Sequence, residues 1–353
     1  MKYILRCTVC KVEYSSRHSY QTCGSCSGNL EVVYTEKPKF GKGNGEDFWE
    51  YEFLLPEARY RHRELGGTKL IKSKDDERLH FKLEIENPTK SFKDRGSVVE
   101  IAKAKEYGYE TIVCASTGNM AYSLSYYAKL EGMNAKIFIG GSASKHKLRN
   151  IRELHDADVE RVDGDFNKAL DCAYRYSKRH KAFLSGDYCY RKEGQKTLAY
   201  EITDQLREVS HVIIPVGNAT LLSGFFKGLS EMRKAGKIRC LPKIVAVQAR
   251  KCSPLVKAFD RNGEVRYEKP MTSADAIAVG YPTFGNEAVK MLRSSGGMAV
   301  AVSEAEMKKE QKKFLSDYGL VAEMASVATI AAARKIKFKK DDIAVAVISG
   351  GNV

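Results

Sequence analysis

Four short turns carry most of the chemistry this chain could perform, and each follows an apolar run. Lys93 stands in "ENPTKSFKDRGS", after "LHFKLEI". Ser116, Thr117, Gly118 and Asn119 form "STGN", after "TIVCA". Gly217, Asn218, Ala219 and Thr220 lie in "VGNATLLSG", after "HVIIP". Ser349 opens "SGGNV", after "IAVAVI". Lys93 offers an amine that can be a nucleophile or a base. Small residues leading into a helix let backbone N–H groups approach an anion, and the helix dipole favours negative charge there. Taken singly each turn is unremarkable: Lys93 could be a solvated charge, and Asn119 could simply cap a helix. Four in one chain could converge on one cleft, because open α/β sheets bind ligands outside the carboxyl ends of their strands.

Pyridoxal 5'-phosphate (PLP) carries an aldehyde, a phosphate, a ring hydroxyl and a ring nitrogen. The four turns offer a partner for each. Lys93 would hold the aldehyde as a Schiff base. Gly217, Asn218, Ala219 and Thr220 would cradle the phosphate. Asn119 would bond the ring hydroxyl, and Ser349 would meet the ring nitrogen. A hydroxyl at that nitrogen, unlike a carboxylate, need not hold it protonated. That would favour elimination and replacement over long-lived carbanion chemistry.

A second constellation lies at the N-terminus. "CTVC" and "CGSC" place Cys7, Cys10, Cys23 and Cys26 as two CxxC pairs. Two such knuckles can aim four thiolates at one tetrahedral zinc, and four protein ligands leave no open position, so the metal would be structural. The β-like runs "MKYILR" and "NLEVVYT" flank the knuckles and predict a zinc ribbon ending near Thr35. Polar and aromatic residues follow over 36–60, with "GKGNGEDF" reading as a linker.

The elements that must position the turns alternate strand and helix. Strands are predicted at "LHFKLEIE", "TIVCAS", "NAKIFIG", "DVERVD", "AFLSG", "HVIIPV", "KIVAVQA" and "IAVAVIS". Helices are predicted over Ser91–Tyr107, Asn119–Glu131, Lys145–Leu154, Phe166–Arg179, Glu193–Leu206 and Leu221–Lys234, then around 283–294, 303–317 and 324–336. Several strands are apolar throughout, which argues for mainly parallel sheets covered on both faces. With 353 residues and 43% hydrophobic composition the chain can build a full core. No apolar run reaches the roughly 18 residues of a membrane helix. The first residues, "MKYILRCTVC", are too polar for a signal peptide, so a cytosolic protein is expected. There the nine cysteines read as thiols or metal ligands rather than disulfides. A net charge of +15 suits anionic partners and does not choose among nucleic acid, phosphorylated metabolites and acidic surfaces. Nucleic-acid binding through the ribbon leaves the large α/β body unexplained, so neither nucleic acid nor membrane is the expected partner.

The turns closely resemble those of the fold-type II PLP enzymes, and among them the threonine synthase family. "NPTKSFKDRG" is similar to that family's PLP-lysine motif NPTGSFKDRG, "CASTGNMAYS" to its ASTGNTAAS loop and "PVGNATLLSGFFKG" to its PVGNAGN loop. "YRKEGQKTLAYEI" resembles its RxEGQKT segment, and "ELGGTKL" its GEGGTPL entry motif. The similarity runs in order along nearly the whole chain. It implies an α/β fold with two open, mainly parallel lobes after the ribbon: residues 1–36 as ribbon and 37–353 as catalytic body, the smaller lobe spanning roughly 98–190. It implies Lys93 as Schiff-base lysine and acid/base catalyst, Asn119, Gly217, Asn218, Ala219 and Thr220 at the cofactor, Ser116 and Thr117 at the substrate carboxylate, and Arg191, with Asn87, near a substrate phosphate. It also implies a homodimer. The family's activity would be lysis of O-phosphohomoserine with addition of water to give threonine, a step of amino-acid biosynthesis. Departures cluster on the substrate side. Lys90 and Lys69 replace a glycine and a proline, "VGNAT" lacks a second Gly-Asn, "SGDYCYR" precedes Arg191, and the last turn is "SGGNV" where the family has TGHG. They keep two other readings open: β-replacement on O-phosphoserine with sulfite or sulfide, as in cysteate synthase, and a serine/threonine dehydratase.

Overall fold

The computed structural model describes residues 1–56, 58–60, 64–116, 118–140, 149, 151–153, 155–164 and 166–351. They divide into two compact units. The first holds Met1–Lys37, Glu52–Arg63 and Lys93–Gly194, the second Pro38–Tyr51, Glu64–Phe92 and Gln195–Val353. Among the described residues no helix is long and apolar enough to cross a membrane.

The first unit begins with a three-stranded antiparallel sheet in the order β2-β1-β3, where β1 is Tyr3–Cys7, β2 Glu13–Ser15 and β3 Leu30–Tyr34. Strand alternation turns Tyr3, Leu5 and Cys7 inward. The Tyr3 hydroxyl lies 3.1 Å from that of Tyr190, which in turn lies 2.5 Å from the Tyr107 hydroxyl. Fully buried beneath them, the Lys103 ammonium sits 5.2, 4.8 and 5.5 Å from the ring centres of Tyr3, Tyr107 and Tyr190 and pairs with Glu106 at 2.7 Å. Three ring faces and a carboxylate replace the water this cation gives up. The N-terminal sheet is thereby packed into the first unit rather than hung from it.

The rest of that unit is a four-stranded parallel sheet in the order β8-β7-β6-β9, comprising β6 Thr111–Ala115, β7 Asn134–Gly140, β8 Asp158–Val162 and β9 Phe183–Leu184. Helices α1, Lys93–Glu106, and α2, Asn119–Leu130, belong to the same unit.

The second unit is built on a six-stranded sheet, β12-β11-β10-β13-β5-β4, with β4 Leu70–Lys72, β5 Leu79–Leu83, β10 His211–Pro215, β11 Lys243–Ala249, β12 Met298–Val302 and β13 Ala344–Ile348. All pairs are parallel except β4 with β5. Apolar-throughout strands are what this sheet requires, because both faces are buried. Ala344, Ala346 and Ile348 enter one core cluster, and Val345 and Val347 enter the other.

The elements differ from the sequence expectation in particular places. β5 stops at Leu83 and a 3-10 turn covers Glu84–Glu86. Helix α1 starts at Lys93, not Ser91, because Lys90–Phe92 is zipped to the chain end: Ser91 bridges Gly350, the Phe92 N–H donates to the Ser349 carbonyl at 3.0 Å, and the Gly351 N–H donates to the Lys90 carbonyl at 2.8 Å. The single helix expected over Glu193–Leu206 is two, Cys189–Gln195 and Thr197–Gln205. Strand β12, the helix Pro254–Asp260 and the 3-10 helix Phe48–Leu54 were not expected. Of the helix expected over Lys145–Leu154, residues 149 and 151–153 are helical and the others lie outside the described residues.

Candidate active site

In the first unit, Lys93 is the opening residue of α1 and Asn119 the opening residue of α2, with Gly118 in the cap position at φ −123°. One helical turn along from each stand Ser97 and Ser123. The Ser123 hydroxyl donates to that of Ser97 at 2.8 Å, so the starts of the two helices are pinned together. Ser116 directly follows β6, where its N–H donates to the Phe138 carbonyl at 3.2 Å and its hydroxyl accepts from Gly118 N–H at 3.3 Å. Thr117 lies outside the described residues.

Arg191 is fully buried. Its Nε–H donates to the Gly186 carbonyl at 3.0 Å, and one terminal nitrogen reaches Ser97 at 3.4 Å and the Lys93 carbonyl at 3.5 Å. The other pairs with Glu100 and lies 3.4 Å from the Ser185 hydroxyl. Five N–H groups therefore meet five acceptors inside this unit, where the sequence reading had them gathered around a substrate phosphate. Burial pushes the Glu100 carboxyl upward, against the pull of the Arg191 charge. Two motif glycines acquire their reason here. A Cβ on Gly194 would stand 1.8 Å from the Arg95 carbonyl oxygen, and one on Gly96 would stand 2.6 Å from Arg191 Cγ. Only glycine lets α1 and the helix Cys189–Gln195 approach so closely.

In the second unit, Val216–Ala219 links β10 to the helix Thr220–Ala235. Ala219 takes the left-handed conformation at φ 62°, which turns the chain sharply into the helix. The first-turn N–H groups of a helix have no acceptor inside it. A Cβ on Gly217 would be 2.9 Å from the Ala276 carbonyl oxygen, so the loop backbone is held close with no side chain of its own. Asn218 is clamped from behind. Its carbonyl accepts from Phe284 N–H at 3.0 Å, and its side-chain oxygen accepts from the Thr283 hydroxyl at 3.2 Å. Thr283 was not singled out from the sequence, and no local signal marks it. Ser349 is buried, with its hydroxyl 3.1 Å from that of Ser326. Asn87 is also buried, donating to Glu84 and accepting from Gly66 N–H at 3.0 Å. Lys90 is exposed at φ 60°, and Lys69 pairs with Glu86 at 3.4 Å on the surface. Buried packing accounts for Cys114 and Cys189, and burial pushes the Cys114 thiol up to about 12.

In the first unit the Cys7, Cys10, Cys23 and Cys26 sulfurs lie within 4.8 Å of one another, as a zinc ribbon requires. Val9 and Cys10 N–H groups donate to Cys7 Sγ, both at 3.4 Å, and the Tyr14 hydroxyl lies 3.1 Å from Cys23 Sγ. A Cβ on Gly28 would come within 3.1 and 3.2 Å of the Cys7 and Cys26 sulfurs, so glycine keeps the space beside them open.

Comparison with known proteins decides what this arrangement belongs to. The family described as pyridoxal-phosphate dependent enzyme matches residues 62–350. The threonine synthase of Methanosarcina acetivorans is 35% identical, the match covering 95% of this chain and 87% of that one. That of Methanocaldococcus jannaschii is also 35% identical, covering 94% and 87%. The chain belongs to the threonine synthase family of pyridoxal-phosphate-dependent enzymes. Maize serine racemase shares the fold, with a TM-score of 0.71 at 20% identity over 81% of this chain and 88% of that one. An L-serine ammonia-lyase from Rhizomucor miehei does so too, with a TM-score of 0.71 at 19% identity over 81% and 93%. As a member of the threonine synthase family the chain is a PLP-dependent lyase of fold type II, as its sequence motifs implied.

Its residues fit the cofactor that membership implies. The Gly217–Thr220 turn leads small residues into a helix start, and Gly217 has no room for a side chain beside the Ala276 carbonyl oxygen. Two hydroxyls, Ser91 Oγ two residues before Lys93 and Ser223 Oγ one turn into the helix after the cradle, are buried without a hydrogen-bond partner among the described residues. Buried hydroxyls are rarely left so unless something else satisfies them.

Proposed function

We propose that this chain is a threonine synthase, converting O-phosphohomoserine and water to threonine and phosphate. The observation that carries the reading is 35% identity to a threonine synthase along 95% of the chain. Lys93, Asn119, Gly217, Asn218, Ala219, Thr220 and Ser349 are the residues that would hold PLP. When bound, the cofactor supplies an electron sink that acidifies the carbon bearing the substrate amino group. The Lys93 amine would take the proton from that carbon and deliver protons along the substrate, so that phosphate leaves and the oxygen of water stays. Its place at the start of α1 is held by the Ser97–Ser123 bond and by Arg191 on its own carbonyl. Arg191 thus acts on this reading as a positioning residue, its charge paired with Glu100. Ser116 and Thr117 would bind the substrate carboxylate.

Cys7, Cys10, Cys23 and Cys26 would hold a structural zinc, a reading supported by their clustering and by the N–H groups aimed at Cys7. The substrate is a small anionic amino acid, the expected compartment is the cytosol, and the expected assembly is a homodimer.

The test is phosphate release by the purified protein given O-phosphohomoserine or O-phosphoserine, each with and without sulfite, with the amino-acid product identified. Phosphate and threonine from phosphohomoserine alone are expected. Phosphate from phosphoserine only, with cysteate appearing when sulfite is present, overturns the proposal in favour of β-replacement.

A further inference from the structure

Within the first unit, the helix Cys189–Gln195 stands between the ribbon and α1. It has seven residues, too few to hold a place of its own, so what packs on it sets its position. On the α1 side, Arg191 reaches the Lys93 carbonyl, the Ser97 hydroxyl and the Glu100 carboxylate. These stand four and three residues apart, on one stripe of α1. Gly194 lies against the Arg95 carbonyl with no room for a side chain. On the ribbon side, the Tyr190 hydroxyl lies 3.1 Å from that of Tyr3 on β1. The Tyr34 hydroxyl on β3 donates to the Glu193 carboxylate, and Glu31, also on β3, pairs with the Lys192 ammonium at 3.8 Å. Tyr190, Arg191, Lys192 and Glu193 are all buried. The β1–β3 ladder joins the two ends of the ribbon. Cys7 faces Leu30 at the end that carries the thiols, and Tyr3 faces Tyr34 at the end that touches the helix. A ribbon that loosens withdraws a partner from each of two buried charges, which favours movement of the helix that carries them.

We propose that the ribbon is a positioning element for Lys93. Zinc at Cys7, Cys10, Cys23 and Cys26 holds the β1–β3 ladder, the ladder fixes the helix Cys189–Gln195, and that helix fixes the start of α1 where Lys93 stands. A metal that touches no reacting atom thereby sets the rate, and its loss lowers catalysis before the fold is lost. The inference rests on the proposed roles of Lys93 at PLP and of the four cysteines at zinc.

The test uses the full chain loaded with PLP and takes two readings. The pH midpoint of the cofactor's visible band reports the surroundings of Lys93 without turnover, whatever the substrate. The split of kcat from KM on O-phosphohomoserine reports the chemistry. Tyr34→Phe with Glu31→Gln removes the two ties from β3 and leaves every cysteine in place. The zinc is expected to stay bound and the midpoint to move. The kcat is expected to fall about tenfold or more with KM little changed, because a group misplaced by about 1 Å can lose about 10² in rate. Chelating zinc from the wild type is expected to move the midpoint the same way while far-UV circular dichroism is retained. Arg6→Gln breaks the exposed Arg6–Glu13 pair of the ribbon and is expected to change neither reading. A double variant with the wild-type midpoint and kcat overturns the proposal. Should that variant not fold, Tyr34→Phe alone takes its place, and an unmoved midpoint in it and after chelation overturns the proposal equally. A visible band that survives in Lys93→Ala overturns instead the assignment of Lys93 beneath it. A wild-type chain that binds no zinc overturns the metal's part.

Discussion

The hydroxyls of Ser97 and Ser123 meet at 2.8 Å, joining α1 to α2 one turn beyond Lys93 and Asn119. Two side chains assigned to the same cofactor thus stand at helix starts that cannot slide independently. The Ser97 hydroxyl also lies 3.4 Å from Arg191, which reaches on to the Lys93 carbonyl. The placement of the lysine is a property of this network as much as of its own motif.

Removing the amine separates chemistry from architecture. Lys93→Ala is expected to lower phosphate release by roughly 10²–10⁴-fold or more, the scale of a lost general acid–base group. The far-UV circular dichroism should be unchanged, because the variant keeps the Lys93 carbonyl that Arg191 holds. Retained turnover in this variant would move the proton-transfer role elsewhere.

Gly194→Ala tests the close approach behind the lysine. Its Cβ would fall 1.8 Å from the Arg95 carbonyl oxygen, a backbone atom that cannot swing aside. A loss of about 3 kcal/mol or more is expected, the upper end of overpacking costs, read as a lower urea midpoint. A midpoint within error of the wild type would mean the two helices can separate at no cost.

The zinc prediction is about stability. A strong chelator is expected to release a single zinc per chain and to lower the melting temperature, and added zinc should restore it. Tyr3 on β1 bonds Tyr190, so loosening the ribbon should also uncover the buried Lys103 cluster. Cys10→Ser should lose the metal. Wild-type protein without zinc but with an unchanged melting temperature would make the cluster an unmetallated thiol group.

One acid transition can be assigned to a helix cap. Glu306 closes a capping box with Ser303 at the start of the helix Glu304–Tyr318. Partial burial alone would raise its pKa, but the Ser303 N–H, the Lys335 ammonium and the Ser303 hydroxyl outweigh it and hold the carboxyl at about 2 against an ordinary 4.5. A depressed carboxyl stabilises the fold above its unfolded pKa and loses that contribution as pH falls through the folded one. The loss should therefore appear between about pH 4.5 and 2. Glu306→Gln should be less stable near neutral pH and should show a shallower stability slope across that window. An identical slope in the variant would remove Glu306 from the acid transition.

The α/β alternation, the strands buried on both faces, the two CxxC knuckles and the four polar turns could all be read from the chain, because each is written in residues close together. Lys93, Asn119 and the Gly217–Thr220 turn are visible for that reason: a strand end, small residues and a helix start are local patterns. What the tertiary structure alone decided is who stands behind them. Ser326 reaches Ser349 across 23 residues and Glu100 reaches Arg191 across 91, and neither pair leaves a periodic or spacing signal in the sequence. Gly96 and Gly194 read as ordinary motif glycines until folding sets their backbones against neighbours that would collide with a side chain. Arg191 looked like a hand for a phosphate because its type and position allowed it, and the packed unit gave all five of its N–H groups partners of the chain's own. Residue type limits which bonds a side chain can make. Which of them it makes depends on the neighbours that only the folded chain brings within about 3 Å.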